Sequence, residues 1–149
     1  MRGTEPQSQQ IEAVRALARA SRFLERASDE LSLAHYRVLS AVASGDERAS
    51  RVAHRLSLGK PAVSAAVDAL TQRGLMSRSD VLGDQRATTL SLTAGGYALL
   101  SRVETDMTER LNQLSERTPD ATQLLESLVW MGAAIDELRA ETSPQEQPT

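Results

Sequence analysis

Two apolar-periodic segments separated by only three residues constrain this chain more than any other feature. In "ASRVAHRLSLGKPAVSAAVDALTQRGL", residues Ala49 to Leu75, the residues Val52, Ala53 and Leu56 mark the inner side of a short helix. Val63, Val67 and Leu70 mark a second helix, which Lys60-Pro61 opens and Gly74 ends. Proline fits a first helical turn because its missing N–H has no intrahelical partner there. Of the linking residues Ser57, Leu58 and Gly59, only Leu58 is large and apolar, so Leu58 is expected to plug the angle between the helices. A link this tight fixes that angle, which is the geometry of a helix-turn-helix.

The flanking sequence is almost entirely helical in period. Ile11, Val14, Leu17, Ala18, Leu24 and Leu31 predict an amphipathic helix ending between Ala27 and Leu31. Ser32 is placed to cap a second helix that carries Leu33, Tyr36, Leu39, Val42 and Ala43 and stops at Gly45-Asp46. Ser50 is expected to cap the third. After Gly74 the period changes: "LMSRSDVLGDQRATTLSL" has a Gly-Asp turn, and Leu90 and Leu92 alternate with Thr89 and Ser91, which predicts a two-stranded hairpin with its leucines inward. Thr93 is an N-cap candidate for a long helix bearing Leu100, Val103, Met107, Leu111 and Leu114, and Thr118-Pro119 is expected to cap the last helix. There Leu124, Leu128, Met131, Ile135 and Leu138 recur at steps of four and three, a seam that asks for a partner helix.

The expected fold class is mainly α (α+β): a winged helix-turn-helix with a two-stranded β wing and N- and C-terminal dimerisation helices. Its expected organisation is a disordered N-terminus over 1–10, a dimerisation helix over 11–31, a DNA-binding region over 32–96, dimerising helices over 97–141 and a disordered tail over 142–149.

Composition narrows the function. The 149 residues carry net charge -3 and no cysteine, which suits one domain and excludes disulfides, thiolate zinc sites and a cysteine nucleophile. A reducing, cytoplasmic setting is expected. The start "MRGTEPQSQQ" has no signal-peptide core, and the longest apolar run, "LVWMGAAI", falls far short of the roughly 20 residues that cross a bilayer, so no membrane partner is expected. The two histidines, His35 and His54, lie in different helices without a carboxylate cluster, so no metal is expected. With no phosphate-binding glycine loop, nucleophile elbow or Ser-His-Asp grouping, neither an enzyme nor a catalytic residue is expected, and no cofactor. Charge is uneven: between Arg48 and Arg86 seven basic residues face three acidic ones, a net of +4, which leaves -7 for the remainder. Such an asymmetry suits a segment that meets a polyanion.

"LSLAHYRVL", "LSLGKPAVSAAVDALTQRGLMSR" and "DQRATTLSLTAGG" resemble the successive signatures of MarR-type transcriptional regulators, over about residues 31–96 with matching flanking helices. Most specific is the D-x-R followed by L-T-x-x-G, here Asp84, Arg86, Leu92, Thr93 and Gly96. The resemblance implies a homodimeric repressor of a pseudo-palindromic operator in double-stranded DNA. The helix from Lys60 to Arg73 would lie in the major groove, and Arg86, held by Asp84, would enter the minor groove. A small aromatic or lipophilic effector would bind between the dimer helices and the DNA-binding lobe.

On the residues themselves, Lys60 suits a phosphate or guanine, Ser64 a phosphate or base edge, and the Ala62 methyl a thymine methyl. Ala62 and Ala65 stand where relatives often carry Thr or Ser and a basic residue, so affinity is expected to rest on phosphate and minor-groove contacts from Lys60, Arg73, Arg78 and Arg86. Ser50 and Pro61 complete the DNA-binding candidates, Ser50 through its hydroxyl at a helix start. Phe23, His35, Tyr36 and Leu39 are the effector-binding candidates. The competing expectation is a winged-helix module that binds a protein and has lost specific DNA recognition.

Overall fold

The computed structural model describes residues 5–45, 48–81 and 84–142, and of Glu5, Val81 and residues 84–87 the backbone alone. Among the described residues six helices and one hairpin follow in the order α1 (Glu5–Glu25), α2 (Leu33–Ala43), α3 (Ala49–Leu56), α4 (Lys60–Gln72), β1 (Met76–Val81), β2 (Asp84–Leu92), α5 (Ala94–Ser115) and α6 (Ala121–Thr142). The fold is mainly helical with a two-stranded antiparallel sheet, the winged helix-turn-helix that the periodicity predicts.

The core lies where α2, α3, α4, the wing and the first half of α5 meet. Leu39, Val52, Leu70 and Val103 are fully enclosed there, and Val38, Val63, Val67 and Met76 nearly so. Each such side chain contributes about 1.5–3 kcal/mol by leaving water. Leu90 and Leu92 turn inward as their alternation requires, opposite Arg78 and Met76 in the β1–β2 register. On the opposite face Ser77 and Ser91 bring their hydroxyls to 2.9 Å across the strands.

Several boundaries are set by local chemistry. Ser32 caps α2, its hydroxyl accepting from the His35 N–H at 3.2 Å. α3 and α4 end alike. Ser57 (φ 52°) and Gly74 (φ 72°) adopt the left-handed conformation, and the N–H groups of Leu58 and Leu75 reach back to the carbonyls of Ala53 and Leu70. This pairing satisfies carbonyls that a helix end leaves without partners. Leu58 thereby turns back against the core, half-buried in the angle between α3 and α4.

Five expectations are corrected. Residues 5–10 are not a frayed terminus but the first turns of α1, which Pro6 tolerates in its opening turn. The same helix stops at Glu25, where Ala27 N–H bonds to the Leu24 carbonyl in a tighter turn and the Ser28 hydroxyl accepts from Glu30 N–H. Ser50 does not cap α3: the cap position is Arg48, without a side-chain cap bond, and Ser50 sits exposed one position inside the helix start. Thr118 closes α5 by donating to the Ser115 carbonyl at 2.6 Å, and Asp120 instead caps α6, accepting from Gln123 N–H at 2.9 Å. Leu39 has 0 % exposure and packs in the core, so it lines no cavity that a ligand can reach in this state. The Gly83 half of the expected hairpin turn, residues 1–4 and 143–149 lie outside the described residues.

α6 carries no buried residue. Val129 (72 %), Trp130 (69 %) and Leu138 (63 %) are open to solvent, as are Ile11, Val14 and Leu17 on α1. Apolar faces this extensive exceed what an ordinary monomer surface leaves uncovered.

Candidate nucleic-acid interface

The junction between α4, the wing and α5 is held by one small cluster of hydrogen bonds. Thr93 caps α5, accepting from Gly96 N–H at 3.0 Å, and its hydroxyl donates to the Gly74 carbonyl at 2.6 Å. Thr93 N–H donates to the Leu75 carbonyl at 3.1 Å. The first turn of α5 therefore lies directly on the Gly74-Leu75 corner. A Cβ on Gly96 would stand 2.0 Å from the Leu75 oxygen, so only glycine allows this approach. The L-T-x-x-G motif is thus a packing device that sets the wing against α4.

With Val63, Ala66, Val67 and Leu70 turned to the core, α4 presents Pro61, Ala62, Ser64, Ala65, Asp68 and Gln72 to solvent. Its first turn is preceded by Gly59, which offers no side-chain cap, and Lys60 is exposed beside it. Pro61 has no N–H and the Ala62 N–H bonds to the Gly59 carbonyl at 3.1 Å, so the group at this helix start that suits an anionic oxygen is Lys60. The face itself is shallow, because two of its residues are alanines, while hydroxyl and carboxylate groups stand at Ser64 and Asp68.

The flanking arginines are tethered. Arg73, at the C-terminal end of α4, donates to the Glu30 carbonyl at 2.8 Å. Arg78 on β1 pairs with the Asp68 carboxylate. Asp84 and Arg86 belong to the opening of β2, and their side chains lie outside the described residues. Sequence reasoning missed Asp68 and Glu30. Asp68 was visible as the residue one helical turn beyond Ser64, whereas the Glu30 carbonyl contact depends on how the α1–α2 corner meets α4.

The effector candidates do not converge on one cavity. Tyr36 donates to Glu104 Oε1 at 3.4 Å, and its phenol is pushed above 10.0 by burial first, then by the charge and hydrogen bond of Glu104. Phe23 lies beneath the Arg110 guanidinium, 5.3 Å from ring centre to carbon, a cation–π contact. Glu104 and Arg110 are about 9 Å apart along α5. His35 is half-buried and contributes a backbone N–H to the Ser32 cap. A cavity of about 340 Å³ at the α1–α5 crossing is lined by Ala27, Asp106, Glu109, Arg110 and Gln113, none of them an expected lining residue. A larger one of about 550 Å³ opens between α3 and the end of α6, beside His54, Ile135 and Leu138. Among the described residues no cluster of three metal-ligating side chains occurs, and no helix is long and apolar enough to cross a membrane.

Known proteins share this architecture. The transcriptional repressor CouR, solved bound to a 23-mer DNA duplex, superposes with a TM-score of 0.75 at 25% identity, covering 91% of this chain and 96% of that one. MarR of Escherichia coli, in its apo form, superposes at 0.70 with 21% identity over 83% of this chain and 93% of that one. The chain has the winged-helix fold of these MarR-type regulators. In sequence, the chain is 29% identical over 91 residues to the homoprotocatechuate degradative operon repressors of Escherichia coli and Shigella flexneri. That match takes in 58% of this chain and spans 62% of the length of those relatives. No protein-family profile matches the chain.

Proposed function

We propose that this MarR-type protein is a homodimeric, DNA-binding transcriptional regulator that represses from a pseudo-palindromic operator, acting in the cytoplasm and not as an enzyme. α4 enters the major groove of each half-site, with Lys60 and the start of the helix on phosphate and Ala62, Ser64 and Ala65 against the bases. The wing carries Arg86 into the neighbouring minor groove, where negative potential is concentrated, and Asp84 steadies it. Arg73 and Arg78 supply phosphate contacts, and Ser50, Pro61 and the α3 start lie alongside. The region 32–96 forms this lobe, and the segments 11–31 and 97–141, with α1, α5 and α6, join two copies.

The observation that carries the reading is the uncovered face of α4, held at a fixed angle between α3 and the wing, in a fold that CouR shares in its DNA-bound structure. The exposed apolar residues of α1 and α6 support the dimer, because a two-fold axis would cover both. A small aromatic or lipophilic effector relieves repression, and Phe23, His35 and Tyr36 are the residues that meet it. Tyr36 of α2 and Phe23 of α1 meet α5 at different residues, Glu104 and Arg110, so the site forms on ligand entry or with the second copy.

The alanines at 62 and 65 favour a second reading, a winged-helix module that binds protein. Selection of duplexes from a random-sequence pool, with wild type and Arg86→Ala, separates the two. A two-fold symmetric motif, bound about tenfold more weakly by the variant, supports the regulator, since minor-groove and phosphate contacts each cost on this scale. A folded protein that enriches no sequence refutes it.

A further inference from the structure

We infer that Asp68 is a positioning residue for DNA binding, acting through Arg78 to fix the wing against α4; the inference rests on the reading of α4 as the groove helix. Asp68 is the one acidic side chain on the exposed face of α4, one helical turn past Ser64. A bare carboxylate there would repel a polyanion. Its carboxylate instead accepts from the Arg78 guanidinium of β1, whose strand partner Leu90 is buried in the core. The pair therefore bridges α4 and β1 on their solvent side, opposite the core that Leu70 and Met76 share.

Both side chains are largely in solvent, 59 % exposed for Asp68 and 43 % for Arg78. Such a pair contributes little to stability, so its value lies elsewhere. A guanidinium has five N–H donors in a fixed plane, and a carboxylate cannot use them all. Arg78 keeps donors for a phosphate while Asp68 holds its plane. Loss of Asp68 releases a flexible arginine that must be ordered again on binding.

The test is fluorescence anisotropy of the full-length protein on a duplex recovered from the random-sequence pool, across 0.05–0.2 M salt (roughly the range over which counterion release is read). D68N is expected to bind about eightfold more weakly at about 0.1 M salt, with the slope of log K against log salt smaller by about 0.9, as when one phosphate is no longer neutralised. Arg78→Ala, which also leaves the Asp68 carboxylate bare, is expected to bind at least as weakly as D68N, the double variant to be no weaker than Arg78→Ala alone, and Asp68→Glu to recover binding. Tighter binding by D68N, or losses that add in the double variant, overturns the inference and leaves the DNA-binding reading standing. Wild-type protein with no salt-dependent binding to any duplex overturns both.

Discussion

Adding one methyl group at Gly96 tests how the lobe is assembled. The new Cβ would stand 2.0 Å from the Leu75 oxygen and 3.0 Å from its carbon. Van der Waals contact demands about 3.5 Å, so backbone must move by more than about 1 Å. The struck atom is also the acceptor for Thr93 N–H, at 3.1 Å. Forced packing of this kind costs about 1–3 kcal/mol and the weakened hydrogen bond about 1 kcal/mol more. Removing a helical glycine returns about 1 kcal/mol, so the net loss is about 2 kcal/mol. Gly95 is the internal control: its added Cβ would have nothing nearer than 3.7 Å, and Gly95→Ala should be neutral or stabilising by up to about 1 kcal/mol. Urea unfolding followed by circular dichroism, at one fixed protein concentration, measures the gap between these neighbouring variants. A Gly96→Ala protein as stable as Gly95→Ala would refute the close approach of α5 to the α4–β1 corner.

Three further outcomes follow from particular contacts. Leu39→Ala should lower stability by about 2–5 kcal/mol through the cavity it leaves, measured by the urea midpoint; a loss under about 1 kcal/mol contradicts its place in the core. In Tyr97→Phe, which leaves Tyr36 the only tyrosine, ultraviolet titration should place the phenol above 10.0, and a further Glu104→Gln change should lower that midpoint. Because the folded state keeps the Tyr36 proton longer than the unfolded chain, stability from this site is complete below pH 10.0 and falls as pH rises through the folded value; a midpoint at or below 10.0 contradicts the burial. Ile135→Glu combined with Leu138→Glu should convert a dimer to monomers in sedimentation velocity, since charges would replace apolar side chains on a covered face; an unchanged dimer removes α6 from the interface.

The elements were legible where short-range chemistry decides them. Leu58 in the turn, Thr93 at the head of α5 and the inward Leu90 and Leu92 each follow from spacing or from one residue's hydrogen-bonding capacity. Caps were legible less securely: Ser50 and Thr118 have the right chemistry, but the helix began with Arg48 at the cap in one case and Asp120 in the other. A helical stripe says which side chains face inward and not whether they face packed atoms or a cavity, which is why Leu39 stood with Tyr36 among the effector candidates. The Asp68–Arg78 and Arg73–Glu30 contacts join residues 10 and 43 positions apart, and such pairings exist only once helix crossings are fixed. The D-x-R of the wing drew its meaning from family resemblance, because nothing in its spacing alone specifies a groove.

The placement of α4 in a major groove is open to direct measurement, because the chain has no cysteine and one can be introduced alone. Ala65→Cys, on the exposed face of α4, would carry an iron chelate that cleaves nearby DNA, with Trp130→Cys on α6 as the distant reference. The account predicts cleavage from position 65 at two sites related by the symmetry of the bound duplex, about one helical turn apart, and none from position 130. Bound DNA left intact by the chelate at position 65 would contradict it.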